Sequence, residues 1–188
     1  MIIREAALKI LQQNMENQNL RRHCYAVEAV MRALAKKLDG DQEKWGLVGL
    51  LHDGDYEKTK DQPKEHTLLM FQWLQEAGET DEEILQAILS HNAEMTGKNK
   101  PQTKMEWALY CCDELTGLIV ATTLMMPDKK ITSVKPESVL KKMKDKSFAA
   151  AVDREQIKLC QEKLNISLEE FVKIALGAMQ GINQDLGL

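Results

Sequence analysis

A chain of 188 residues with 44% hydrophobic and 29% charged residues has an ordinary globular composition and can bury a core without disulfides or metals. The formal net charge of −4 argues against a general affinity for nucleic acid duplexes or anionic membranes, so phosphate binding would need a local cation cluster. No apolar run approaches the roughly 18 residues of a membrane span, and the N-terminus lacks the apolar segment of a signal peptide. We therefore expect a single cytoplasmic domain over residues 1–188.

Apolar residues recur at helical spacing along almost the whole chain, without a β-hairpin pattern. The first six predicted helices lie, in chain order, at 2–15, 20–38, 42–51, 65–77, about 82–91 and 104–126. His23 lies on the apolar stripe of the second helix, and His66 lies in the first turn of the fourth. The segment Thr80–Glu83 has the pattern of a capping box that opens the fifth helix. Residues 55–63 and 93–103 are predicted as polar loops.

The remainder of the chain continues the helical pattern. Pro127 ends the sixth helix, and residues 136–188 predict two or three more helices, the last of which opens at a second capping box, Ser167–Glu170. We therefore predict an all-α fold in which the C-terminal helices pack on the same bundle.

The four cysteines lack the C-x-x-C spacing of a zinc or redox motif. In a cytoplasmic protein they are expected to be reduced and buried rather than bridged or bound to metal. They are Cys24, Cys111, Cys112 and Cys160.

All four histidines of the chain lie beside apolar helix surface, and aspartates accompany them. His52 and Asp53 end the apolar run of the third helix, and Asp113 lies inside the sixth. Neutral imidazole and carboxylate suit divalent zinc, iron or manganese. A lone histidine on an apolar face is more often a core or capping residue, but the combination favours a metal site. The candidates are His23, His52, Asp53, His66, His91 and Asp113.

In chain order these residues read H…HD…H…H…D, which resembles the HD-domain metal-dependent phosphohydrolase superfamily. The resemblance is carried by the segments LVGLLHDGDYEK, KEHTLLMFQWL, ILQAILSHN and WALYCCDELTG. It implies an all-helical HD core over about residues 20–125, with a C-terminal helical extension over about 135–188.

The resemblance implies one divalent metal ion held by His23, His52, Asp53 and Asp113. Asp53 would bridge to a second ion held by His66 and His91, and a site with one ion is the alternative. Iron or manganese suits this mixed set best, with magnesium, nickel, zinc and cobalt as alternatives. Two such ions can share a bridging hydroxide, positioned by Asp53, that attacks phosphorus.

The chain departs from the better-known motif of the superfamily at two points. Tyr56 stands where many members have the lysine of HD-I-G-K, and the G-Y-P tripeptide is missing after His91, which argues against cleavage of cyclic-di-GMP. Asp55 and Glu57 add two carboxylates near the metals. They could orient the histidines, shuttle protons or belong to a solvated loop. Asp55 is the candidate for the catalytic role.

A phosphohydrolase also needs cations for its substrate. Lys146 and Arg154 flank the small apolar patch 148–152 and are the preferred phosphate-binding candidates. Lys98, Lys100 and Lys104 form a competing patch, and a solvated helix face is the alternative for both groups.

The predicted function is hydrolysis of a phosphoester or phosphoanhydride in a small phosphorylated substrate, with a nucleotide as the favoured class. Two alternatives use the same ligands: a di-iron oxygenase on the HD scaffold, and a non-catalytic module that senses a metal or nucleotide. No partner protein and no oligomeric state is predicted.

Overall fold

The computed structural model describes residues 1–188, and all of its regular elements are helices, which confirms the all-α prediction. The helices are, in chain order, α1 (Arg4–Asn14), α2 (Gln18–Lys37), α3 (Gln42–Leu51), α4 (Tyr56–Thr59), α5 (Leu68–Glu76), α6 (Glu82–His91), α7 (Ala93–Thr96), α8 (Lys104–Leu124), α9 (Pro136–Met143), α10 (Arg154–Lys158), α11 (Cys160–Leu164), α12 (Leu168–Gly181) and α13 (Asn183–Leu186). A short 3₁₀ turn, Ile131–Ser133, precedes α9. None of these helices combines the length and apolar character that crossing a bilayer requires.

Side-chain caps define where the helices of the bundle begin. The Asn17 and Asp41 side chains accept hydrogen bonds from the free backbone N–H groups at the starts of α2 and α3. Thr103 and Glu106 form a reciprocal capping box at the start of α8. These caps satisfy amide groups that the helices themselves leave unpaired.

Helix α2 lies at the centre of the bundle and contacts α3, α8 and α12. Its buried face, which includes Val27, Val30 and Leu34, belongs to one hydrophobic core that extends from Ala7 in α1 to Leu186 in α13. The C-terminal helices therefore share their core with the rest of the chain. Burial of this apolar surface is the main force that holds the bundle together.

Helices α2 and α3 touch through their backbones at Gly49. A Cβ atom on Gly49 would lie 2.8 Å from the carbonyl oxygen of Val27 and 2.9 Å from Cα of Glu28. Only glycine permits this approach, because both neighbours are backbone atoms that cannot rotate away. The contact brings His23, one turn before Val27, next to His52, one turn after Gly49.

The predicted start of the fourth helix at residue 65 is wrong. Helix α5 begins at Leu68, and His66 lies in the turn before it rather than in its first turn. Thr67, between them, has φ of 73°, in the left-handed region that a β-branched residue rarely adopts. This residue therefore cannot continue a helix, and α5 does not extend back to His66.

The predicted caps and loops also need correction. Asp81, rather than Thr80, caps α6, with its side chain accepting from the backbone N–H of Glu83. Ser167 accepts from the N–H of Glu170 as predicted, but the Glu170 carboxylate pairs with Lys37 at 2.5 Å. The segments predicted as loops contain the single-turn helices α4 and α7.

Replacing Gly49 with alanine should lower the free energy of unfolding by about 1–3 kcal/mol, the usual cost of overpacking a tight contact. The matched control is Gly177→Ala in α12, where a Cβ atom would meet nothing within 4 Å. That control should raise stability by about 0.4–1 kcal/mol, because it restricts the unfolded chain. Urea unfolding of both variants measures the difference, and equal stabilities would contradict the proposed backbone contact.

Candidate metal centre

The six candidate ligands converge at one place although they come from separate elements of the bundle. His23 comes from α2, His52 and Asp53 follow α3, His66 precedes α5, His91 ends α6, and Asp113 lies in α8. The His52 side chain is fully buried, and the others are mostly buried, with exposed fractions of 11–26%. The sequence prediction thus named side chains that the fold brings together.

Asp53 lies between two groups of imidazole nitrogens. Its Oδ2 atom is 3.6 Å from Nε2 of His23 and 3.7 Å from Nε2 of His52. Its Oδ1 atom is 3.3 Å from Nε2 of His66 and 3.1 Å from Nε2 of His91. The two oxygens of this carboxylate therefore face two different pairs of nitrogen donors, the arrangement that a bridging ligand requires.

Asp113 completes the first of these groups. Its Oδ1 atom is 2.9 Å from Nε2 of His23 and 3.5 Å from Nε2 of His52, and the two nitrogens are 3.2 Å apart. Donor atoms of His23, His52 and Asp113 lie within 4.8 Å of one another, as do those of His52, Asp53 and His91. Mixed imidazole and carboxylate donors at this spacing fit divalent metal ions.

In His23 and His52, the ring nitrogen that does not face the cluster, Nδ1, forms a hydrogen bond with a neighbouring group. Nδ1 of His52 lies 2.8 Å from the carbonyl oxygen of Gly49, to which it can only donate. Nδ1 of His23 lies 3.3 Å from the Thr116 hydroxyl, which itself donates to the Asp113 carbonyl. Both contacts place the ring proton on Nδ1 and leave Nε2 as the metal-facing atom.

Asp55 performs the same task for His66. One Asp55 oxygen lies 2.7 Å from Nδ1 of His66, and the other accepts from the backbone N–H of Met70 at 2.9 Å. The Asp55 side chain is completely buried, so both oxygens are occupied inside the protein. This placement fits the orienting role among the alternatives raised by the sequence and does not support Asp55 as a catalytic proton shuttle.

Glu57, the other extra carboxylate, lies outside the centre. It accepts from the backbone N–H groups of Glu16 and Asn17 at 2.7 and 3.0 Å, so it joins α4 to the connection between α1 and α2.

Electrostatics in the cluster favour the charged forms of two histidines and two aspartates, namely His23, His66, Asp53 and Asp113. Burial opposes the charge of His23, but its hydrogen bond to Asp113 and the charge of Asp53 outweigh this and raise the pKa to about 9. Burial similarly opposes the charge of His66, and Asp53 and Asp55 raise its pKa to about 9. Despite burial, the imidazoles hold the pKa of Asp53 and of Asp113 well below the usual range. Protons and metal ions would compete for the same nitrogens.

The opening above the cluster is lined by apolar and acidic side chains. Besides the ligands, its walls are Leu20, Tyr56, Glu114, Gly117 and Val152. The Glu114 carboxylate is held by the backbone N–H of Asp153 at 2.9 Å. No lysine or arginine lines this opening.

The prediction that Arg154 binds substrate phosphate is wrong. This side chain is buried, and its two terminal nitrogens donate to backbone carbonyl oxygens of the segment that precedes α10. The acceptors belong to Asp145, Phe148, Ala149 and Val152. Arg154 therefore holds its own loop in shape and has no terminal nitrogen directed at the metal centre.

The predicted lysine candidates do not reach the centre either. Lys146 is exposed, as are Lys98, Lys100 and Lys104, and none of the four lines the opening. A solvated helix or loop surface accounts for all of them.

The structure places all four cysteines in the core as free thiols, as predicted. Cys24 and Cys112 adjoin the ligands His23 and Asp113 along their helices and are fully buried. Burial raises the pKa of both thiols well above the usual value.

Two residues at the centre were missed by the sequence reasoning. Thr116 lies one turn after Asp113 in α8, so helical spacing could have identified it as the partner of His23. The sequence identifies Tyr56 only as a departure from a motif. In the structure its ring packs edge-on against His66, with 5.6 Å between the ring centroids.

Comparison with known proteins agrees with this geometry. The family model for the HD domain matches residues 20–126, more than half of the chain and the whole segment that supplies the ligands. No curated protein matches the chain. HD domains bind divalent metals, and the histidine and aspartate groups described above could hold them. The chain belongs to the HD domain family.

Proposed function

We propose that this protein is a phosphohydrolase that depends on two divalent metal ions. The observation that carries the proposal is the position of Asp53, whose two oxygens face two separate pairs of imidazole nitrogens. A core or capping role for the histidines would not require one carboxylate to be shared in this way.

Six side chains would hold the two ions. One ion would lie among His23, His52, Asp113 and the Oδ2 atom of Asp53, and the other among His66, His91 and the Oδ1 atom. When bound, such ions activate water as a nucleophile and neutralise charge on a phosphate. Iron and manganese are the metals we propose, because the site contains nitrogen and oxygen donors without a thiolate.

The remaining polar residues position these ligands rather than react. Thr116 and the carbonyl oxygen of Gly49 orient His23 and His52, while Asp55 orients His66 from its buried position. Partners of this kind keep each lone pair directed at the metal before it binds, which lowers the reorganisation that binding requires.

The proposed substrate is a small phosphorylated molecule, with nucleotides as the first class to test. The opening lacks cationic side chains, so the metal ions would have to neutralise most of the phosphate charge. Four buried free thiols suit a reducing compartment such as the cytoplasm, which is where we propose the protein acts.

The first test removes the shared ligand. Asp53→Ala should lower phosphatase activity with Mn(II) or Fe(II) more than about 100-fold, because even partners outside the first coordination shell cost about 10–100-fold. Asp61→Ala, which removes an exposed carboxylate from the turn after α4, is the control and should keep full activity. The readout is phosphate release from a panel of nucleotides and other phosphoesters.

Two results would refute the hydrolase proposal. One is activity that survives Asp53→Ala. The other is a metal-loaded wild-type protein that releases no phosphate but consumes oxygen in its Fe(II) form, which would identify the oxygenase instead.

Metal binding itself should stabilise the fold. At a free metal concentration about 100 times the dissociation constant, one site adds about 2.7 kcal/mol to the free energy of unfolding. We expect Mn(II) to raise the melting temperature of the wild-type protein and to have little effect on Asp53→Ala. Chelator-treated protein, measured by calorimetry with and without added Mn(II), provides the comparison, and equal shifts in both proteins would contradict the assigned ligands.

Asp55→Asn should weaken the second metal site selectively. The amide cannot carry the negative charge that faces Nδ1 of His66, so we expect the affinity for the second ion to fall about 10–100-fold. The first ion, held around His23, should bind as before. Isothermal titration with Mn(II) separates the two events, and loss of both sites to the same degree would argue against an orienting role.

A further inference from the structure

A second cavity lies directly beside the metal centre, between α2, α8 and the C-terminal residues. Its volume is about 480 Å³, within the range of roughly 300–1,000 Å³ that small-molecule sites occupy. His23 and Gly117 line both this cavity and the opening above the metal ligands, so the two spaces adjoin. We call it the side cavity.

The walls of the side cavity are mainly aliphatic. Asn19 and Arg22 are the polar groups that α2 adds to the lining beside His23. The apolar part is formed by Ala26, Val120, Leu124, Leu186 and Leu188. Such walls favour a bulky organic group, because the aliphatic side chains can cover its apolar surface while the Arg22 guanidinium stays at the exposed edge.

Gly117 stands where the two spaces meet, four residues after Asp113 in the interior of α8. Its position is exposed, and a Cβ atom there would meet only the Val152 side chain, at 4.0 Å. Packing therefore does not demand glycine, in contrast to Gly49. Glycine in a helix interior weakens the helix relative to alanine, so the fold gains nothing from the missing side chain.

What the missing side chain provides is space next to His23. Any larger residue at 117 would project between the opening and the side cavity, since Gly117 lines both.

We propose that Gly117 determines substrate specificity, by allowing the bulky organic leaving group of a phosphate monoester to enter the side cavity. The inference rests on the proposed phosphohydrolase function. In the reaction, water adds its oxygen to phosphorus, the ester P–O bond breaks, and the released alkoxide takes up a proton. The alcohol product then occupies the side cavity, and inorganic phosphate leaves through the opening.

The test compares two monoesters, 1-naphthyl phosphate and ethyl phosphate, in wild-type protein, Gly117→Ala and Gly117→Leu. We expect the ratio of kcat/KM values, naphthyl over ethyl, to fall with the size of residue 117, reaching about a tenfold loss in the leucine variant. Gly177→Leu places the same residue in the interior of α12, where a Cβ atom meets nothing, and should keep the wild-type ratio. An unchanged ratio in Gly117→Leu overturns the proposal.

A binding measurement separates this inference from the function on which it rests. Calorimetric titration of 1-naphthol into metal-free protein needs no hydrolysis, and Gly117→Leu should bind it at least about tenfold more weakly than Gly177→Leu does. If Gly117→Leu fails to fold, Leu124→Trp fills the outer part of the side cavity from a position that is 51% exposed, and should weaken binding likewise.

The outcomes are distinct. A wild-type protein that hydrolyses no phosphoester contradicts the proposed function, while the 1-naphthol titration still decides the role of the side cavity. Naphthol binding of equal strength in Gly117→Leu or Leu124→Trp and in Gly177→Leu overturns the cavity assignment.

Discussion

The contact between the backbones of α2 and α3 at Gly49 is the constraint on which the metal centre depends. It leaves no room for a Cβ atom, and it sets His23 and His52 so that their Nε2 atoms lie 3.2 Å apart. Gly49 also supplies the carbonyl oxygen that fixes the ring of His52. Packing and ligand orientation are thus controlled by the same residue, because a helix pair at its closest approach has almost no freedom to slide.

Around this fixed pair, the other half of the site depends on polar contacts rather than on helix packing. His66 lies outside the regular helices and is held by Asp55, which is itself anchored to the N–H of Met70 at the start of α5. The carboxylates of Asp53 and Asp113 lie in the same mostly buried cluster and would repel each other if no positive charge lay near them. His23 and His66, whose pKa values are raised to about 9, provide that positive charge as cations, and bound metal ions would provide it as ligated charge.

Residue type and helical spacing were sufficient to predict the all-α fold and the side chains that meet at the centre. The ligand order is a property of the chain. His23 and Asp113 lie on regular helices and His52 directly follows one, and the apolar residues of these helices are visible in the sequence. The sequence predicts His66 inside a helix because it cannot reveal the left-handed conformation of Thr67 or the hydrogen bond between His66 and Asp55. Both features arise only in the folded protein. Arg154 was misread for a related reason: an amphipathic pattern cannot reveal that a guanidinium is occupied by carbonyl groups of its own loop.

The buried thiols beside the ligands bear on which chemistry the centre admits. Cys24 and Cys112 are each a sequence neighbour of a ligand and are fully buried, and burial raises the pKa of both thiols, which keeps them protonated. A thiol without thiolate character is a poor ligand for soft ions such as Cu(I) and reacts slowly with peroxide. Protonation of these thiols therefore leaves the imidazole and carboxylate groups as the available metal donors, and it slows oxidation of the sulfur that lies next to them in the core.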